Sequence, residues 1–198
     1  MQRLRNLVIA VLVAAAQPVA ASETTDQGVF DFHLLGIKAG VFAYKGVRNE
    51  TSYAVTGRLE SAGLVSFVKQ IRYDAKARGR VGADGRLVPR RYEEDADTGK
   101  RKSRSLMEYA DGVPTVLLPE RERARDVDPA TQGGTLDPLS ALYTVFRDMP
   151  REEVCALEIH MFDGKRRSRV QLSEPTSRDD RVVCAGEYRR LAGFSKRE

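Results

Sequence analysis

"KQIRYDAKARGRVGADGRLVPRRYEED", residues 69–95, decides the fold. Ile71, Tyr73, Ala75 and Ala77 alternate with charged or polar residues, the period of a strand with one buried face. Asp84-Gly85 supplies turn chemistry, and "LVPRRYEED" (87–95) then resumes an extended pattern. Strand, short turn and strand make an antiparallel hairpin.

The same pattern extends in both directions. Upstream, "VFDFHLLG" (29–36) sets Phe30, Phe32 and Leu34 opposite Asp31 and His33, and "AGVFAYKGV" (39–47) follows across a glycine-containing turn. "TSYAVTGRLE" (51–60) points Tyr53, Val55, Gly57 and Leu59 to one side, with Gly57 marking a bend or a close backbone approach. "SAGLVSF" (61–67) reads as a helical turn or corner. Downstream, "RKSRSLMEYA" (101–110), "VPTVLLP" (113–119), "CALEIHMF" (155–162), "KRRSRVQLSE" (165–174) and "RVVCAGEYRRLAG" (181–193) are strands, several joined at Asp-Gly pairs. The expected fold is mainly β: a curled antiparallel sheet or open β-barrel of about nine to ten strands with one amphipathic helix packed on it. Tryptophan is absent and aromatics make up 7% of the chain, so the core is expected to be aliphatic with Tyr and Phe.

That helix lies in "GGTLDPLSALYTVFRDM" (133–149). Asp137 is the N-cap, its carboxylate facing the positive end of the helix dipole. Pro138 takes the first helical position, where a missing N–H costs nothing. Leu139, Leu142, Tyr143 and Phe146 recur at i, i+3, i+4 and i+7 as one apolar stripe, and Pro150 ends the run. The pattern predicts a helix over 138–148, too short to persist alone, so it must pack on an open end or concave face of the sheet. Its stripe is expected to seal a core; lining a binding site is the other reading. The preceding "PERERARDVDPATQGG" (119–134) has no periodicity and reads as a long exposed connection.

The first residues carry the parts of an export signal. Arg3 and Arg5 precede an apolar run from Leu7 to Ala16, and Val19 and Ala21 supply small residues before a cleavage site near Ala21. The run is too short to span roughly 30 Å of hydrocarbon as an anchor. Removing the first 21 of 198 residues leaves a single β-rich domain over 22–198 and lowers the net charge from +5 to +3. That mild, interleaved charge argues against a nucleic-acid partner, and no later segment is apolar enough to cross a membrane. Cys155 and Cys184 are the only cysteines. In an oxidising compartment the pair is read as a disulfide, which the chain-entropy model values at about 3.6 kcal/mol; two buried thiols are the alternative.

Nothing in the sequence spells out a reaction. His33 and His160 are the only histidines and nothing fixes them together as metal ligands. Ser140 lacks the G-x-S-x-G surroundings of a hydrolase nucleophile. Glu93, Glu94, Asp95 and Asp97 read as an exposed hairpin with opposite charges across it, not as paired acid–base carboxylates. The basic runs Arg90–Arg91, Lys100–Arg104 and Lys165–Arg169 read as solvated surface, with a patch for anionic lipid heads or acidic glycans as the alternative. No catalytic, cofactor-binding or metal residue is assigned, and no cofactor is expected.

"LGIKAGVFAY" (35–44), "SAGLVSFVKQIRYDAKARGRVGADGRLVPRRYEED" (61–95), "GKRKSRSLMEY" (99–109), "GTLDPLSALY" (134–143), "FDGKRRSRVQL" (162–172) and "CAGEYRRLAGFSKRE" (184–198) together resemble the domain-of-unknown-function family 3108. The resemblance runs through nearly all of the chain after the leader, and "TLDPLSAL" is its most specific part. It implies an exported bacterial envelope β protein without an established activity, and it carries no catalytic residues over. Proteins of this kind usually continue past "AGFSKR" with further strands; a chain that stops at Glu198 is either a short member or a truncated one, and a missing closing strand would leave an open sheet edge. The functional expectation is a non-enzymatic periplasmic or cell-envelope protein that binds an apolar or amphipathic ligand, such as a lipid, or a partner segment on its concave side. The alternatives are an envelope interaction protein working through its outer surface and an enzyme acting on an envelope glycan or lipid.

Overall fold

A computed structural model describes residues 22–118, 125–178 and 181–195. The leader and its cleavage point lie outside the described residues. Seven strands follow one another in chain order: β1 (Thr24–Leu34), β2 (Ile37–Arg48), β3 (Ser52–Ser61), β4 (Arg72–Val81), β5 (Leu87–Asp97), β6 (Lys102–Ala110) and β7 (Val113–Leu118). They form one antiparallel sheet in the order β1-β2-β3-β4-β5-β6-β7. A short helix, α1 (Leu64–Val68), turns the corner between β3 and β4, where a helical turn is expected. After α2 (Pro138–Phe146), strands β8 (Glu158–Phe162), β9 (Arg167–Arg178) and β10 (Arg181–Ala192) form a second antiparallel sheet in the order β10-β9-β8. Neither sheet closes into a barrel.

Register determines what each face carries. Asp26, Gly46, Val55, Ala77, Tyr92, Met107 and Val116 lie side by side across all seven strands. Gly28, Tyr44, Gly57, Ala75, Glu94 and Ser105 form the next row on the same face. This face holds the core: Phe42, Tyr44, Tyr53, Val55, Tyr92 and Met107 are buried, with Leu139, Tyr143 and Phe162 packed among them. The alternation read along β3 and β4 is the alternation observed. Along β1 it holds only for Phe30, which stacks on Phe146 at 4.2 Å between ring centroids. Phe32 and Leu34, on either side of a register shift after Phe32, lie past the core and are exposed.

Helix α2 lies across the core face. Asp137 caps it, its side chain accepting from Ser140 N at 2.8 Å, and Pro138 opens it. The helix stops at Phe146, short of the expected 148, because Arg147 turns extended. Tyr44 Oη donates to Phe146 O at 2.7 Å and satisfies a terminal carbonyl. Two glycines give the helix room. A Cβ on Gly57 would lie 2.6 Å from Leu139 Cδ1, and one on Gly46 would run into the Tyr143 ring.

Of the connection expected to be exposed, 119–124 lie outside the described residues, and most of 125–134 is exposed but locally ordered. Within 125–134, Asp128 caps a 3-10 turn over Pro129–Thr131, and Gln132 is buried. Leu136 then bridges to β8: its N–H donates to His160 O, and its carbonyl accepts from Phe162 N, both at 2.9 Å. Cys155 and Cys184 are joined by a disulfide that ties the approach to β8 to the outer strand β10. β8 starts at Glu158, not at Cys155, which is buried in the preceding turn.

Candidate functional site

All four residues of the apolar stripe face the sheet. Leu139 and Tyr143 are fully buried, and Leu142 and Phe146 pack against the same cluster. Tyr143 Oη donates to Asp26 Oδ2 at 2.6 Å, and Arg48 Nε approaches the same oxygen at 3.3 Å. The stripe packs into the core cluster.

At the other end of the helix, a buried hydrogen-bonded chain runs from Tyr53 Oη to Ser140 Oγ (2.7 Å) and from Ser140 Oγ to Asp137 Oδ2 (2.6 Å). Burial pushes the Asp137 carboxyl up to about 6, although its hydrogen bonds from Ser140 pull the other way. Burial also raises the Tyr53 and Tyr109 phenols, with the Asp137 charge adding to both. Ser140 is wholly enclosed, so its hydroxyl serves the helix cap and reaches no substrate space.

The acidic run is divided by strand alternation. Glu93, Asp95 and Asp97 face outward. Arg91 pairs with Glu93, Arg72 and Arg104 with Asp95, and Lys102 with Asp97. Arg91 also reaches Glu108 on β6, and Arg72 meets Asp74. Glu94 faces the core side and accepts from Tyr92 Oη at 2.6 Å. Burial raises its carboxyl, with the charge of Asp163 adding to the shift. The two histidines are in different sheets. His33 is exposed near the end of β1, and His160 Nε2 lies 3.1 Å from Glu158 Oε1. Among the described residues, no three His, Cys, Asp or Glu side chains gather in a metal-binding group.

The open space is on the other face of the large sheet. A trough of about 1080 Å³ crosses all seven strands there. Val29, Ala43, Leu106 and Leu118 line it with apolar surface, and Arg58–Asp74 and Arg104–Asp95 are ion pairs along it. A second hollow of about 540 Å³ shares Lys45, Thr56, Lys76 and Glu93 with the trough and continues past Val47 and Ala54 to Arg78. Lys45 and Lys76 flank Thr56 in register, and Arg78 lies one row further along β4. None of these three cations is held in a salt bridge among the described residues, although Lys76 and Arg78 act on the nearby Glu93 carboxylate. Sequence reading missed the cluster because Lys45 is far along the chain from Lys76 and Arg78 and meets them only through strand register.

Two open antiparallel sheets, one helix bracing the core face and one charged face left uncovered among the described residues define the class of this protein. Within that class the chain belongs to the family described as a protein of unknown function, DUF3108, which matches residues 23–191. No curated protein and no solved structure matches the chain. No helix among the described residues is long and apolar enough to cross a membrane, and with the disulfide this is compatible with export.

Proposed function

We propose that this is a non-enzymatic periplasmic or envelope protein that holds an elongated amphipathic molecule with an anionic head in the trough. The carrying observation is the junction of Lys45, Lys76 and Arg78 with an apolar lining from Val29, Ala43, Leu106 and Leu118. Three cations face one carboxylate there, Glu93, which Arg91 already pairs; that surplus of positive charge favours an anion, and the trough beside them offers a tail partial shelter from water. Packing supports the uncovered face over the helix face, because the α2 residues Leu139 and Tyr143 are fully buried in the core on its own side.

The test is native mass spectrometry of protein recovered from the envelope fraction, followed by titration with a fluorescent fatty acid. The expected result is saturable binding that the triple variant K45Q/K76Q/R78Q weakens at least tenfold. Absence of saturable binding overturns the reading. Specific protein crosslinks across Lys45 and Lys76 with no bound lipid replace it with the interaction-protein alternative.

A further inference from the structure

We infer that the end of the large sheet carrying the β1–β2 turn and helix α1 inserts into the interface of an anionic lipid bilayer. This surface is separate from the trough, and the inference does not rest on the trough reading.

Three connections meet at that end: the β1–β2 turn, the α1 segment and the β5–β6 turn. Ala62 N donates to Ala39 O at 3.1 Å, and Gly63 packs against the Lys38 backbone. Gly99 sits close to Gln70 O, which brings the β5–β6 turn beside α1. Large apolar side chains stand out from two of these connections. Leu34 is 68% exposed, Leu35 96%, Leu64 70%, Phe67 88% and Val68 89%, with Phe32 and Ile37 partly exposed beside them. α1 has no buried residue, so its apolar side chains contribute little to the core. An apolar cluster of this size on one end of a small domain marks a contact surface.

The chain provides its own comparison. Asp111-Gly112 and Leu35-Gly36 are both two-residue turns with positive φ at both positions, 50° and 78° in one, 50° and 80° in the other. This turn favours Asn or Asp before Gly, because a short polar side chain tolerates the left-handed conformation. At the opposite end of the sheet the chain follows that rule. At this end it places leucine, almost fully in water, where neither backbone nor solvation favours it. An outlier of this kind points to function.

Charge selects the occupant. Lys38, Lys69, Lys100, Arg101 and Lys102 ring the apolar end, against Asp31, Glu60 and Asp97. Lys69, Lys100, Arg101 and Lys102 are exposed. Apolar side chains surrounded by basic residues are the pattern of interfacial binding to anionic lipid: the former enter the acyl boundary and the latter meet the head groups. The basic run at Lys100–Arg104 thus begins at this end, while Arg90–Arg91 lies in the first half of β5, away from it.

The test uses protein expressed with its own leader, so that the cell sets the N-terminus. Co-sedimentation is measured with vesicles of phosphatidylcholine alone and with 30% phosphatidylglycerol. Binding is expected only with phosphatidylglycerol, and raising the salt to 0.5 M is expected to weaken it. L35N is expected to melt at or above the wild-type temperature yet bind several-fold more weakly, because Asn suits the turn and removes the apolar side chain. L35D/F67D is expected to lose at least tenfold, and K100Q/R101Q/K102Q several-fold. Absence of binding to the anionic vesicles overturns the inference, as does binding that L35D/F67D leaves unchanged. A dimer in solution that the same double variant dissociates also overturns it, since a second copy then covers the patch.

Discussion

Asp137 does two jobs that pull in opposite directions. As N-cap it accepts from Ser140 N and Ser140 Oγ, and as a carboxylate it sits where water does not reach. Its folded pKa of about 6 stands above the ordinary 3.8, so the native chain holds the proton more tightly than the unfolded chain. The associated stability is fully present below about pH 4 and is lost as pH rises through about 6. Asp137→Asn keeps an acceptor for Ser140 N and has no charge to bury. Urea melts at pH 4 and pH 7 are expected to move the variant-minus-wild-type difference in favour of Asn by about 2–3 kcal/mol. Differencing the two proteins cancels the other buried carboxyls, Glu94 and Asp163, which titrate in the same sense. Tyr53 depends on the same chain: Ser140→Ala leaves its buried hydroxyl without a partner and is expected to cost about 1–3 kcal/mol in the same assay.

At the scale of elements, α2 and the glycines beneath it act as one unit. Gly46→Ala places a methyl group against Tyr143, and chemical denaturation is expected to show a loss of about 1–3 kcal/mol from overpacking. Replacing both Cys155 and Cys184 by alanine is expected to lower stability by about 2–4 kcal/mol, with reduction of the wild-type protein producing a similar change. The helix was legible because its signals are local: a cap, a proline at the first turn and four apolar residues at helical spacing. The strands of the large sheet were legible for the same reason, since short turns join neighbours that also pair. Contacts set by register across several strands were not legible. Arg72 meets Asp95 and Arg91 meets Glu108 only once β4, β5 and β6 are aligned. Register across β2, β3 and β4 likewise sets Lys45 and Lys76 on either side of Thr56. Alternation along β1 read Phe32 and Leu34 as continuing the Phe30 phase, but nothing local shows the register shift after Phe32 or that the core ends before reaching them.

Over the whole molecule, the two faces of the large sheet have different fates. One is filled by α2 and faces the small sheet; the other stays open, with ion pairs laid across it. The apolar end lies at right angles to both. A protein attached by that end to a bilayer would stand with its strands along the membrane normal and its trough accessible from the side. Ionic strength separates the two proposed activities. Vesicle binding depends on exposed lysines and is expected to fall steeply with salt. Fatty-acid retention in the trough, with part of its energy from apolar contact, is expected to fall less across the same titration.

The strict chain order of the large sheet also bears on how the molecule is made. Each of its seven strands pairs only with strands adjacent in sequence, so every hairpin can form as soon as its second strand becomes available. The residues that cover the core face, 138–146, arrive only after the seventh strand, and the cysteine that locks β10 arrives later still. A chain delivered from its N-terminus can therefore have a complete sheet with Phe42, Tyr53, Val55 and Tyr92 facing water until the helix follows. During vectorial synthesis or transport, that uncovered tyrosine-rich face is where a chaperone has most to gain by binding.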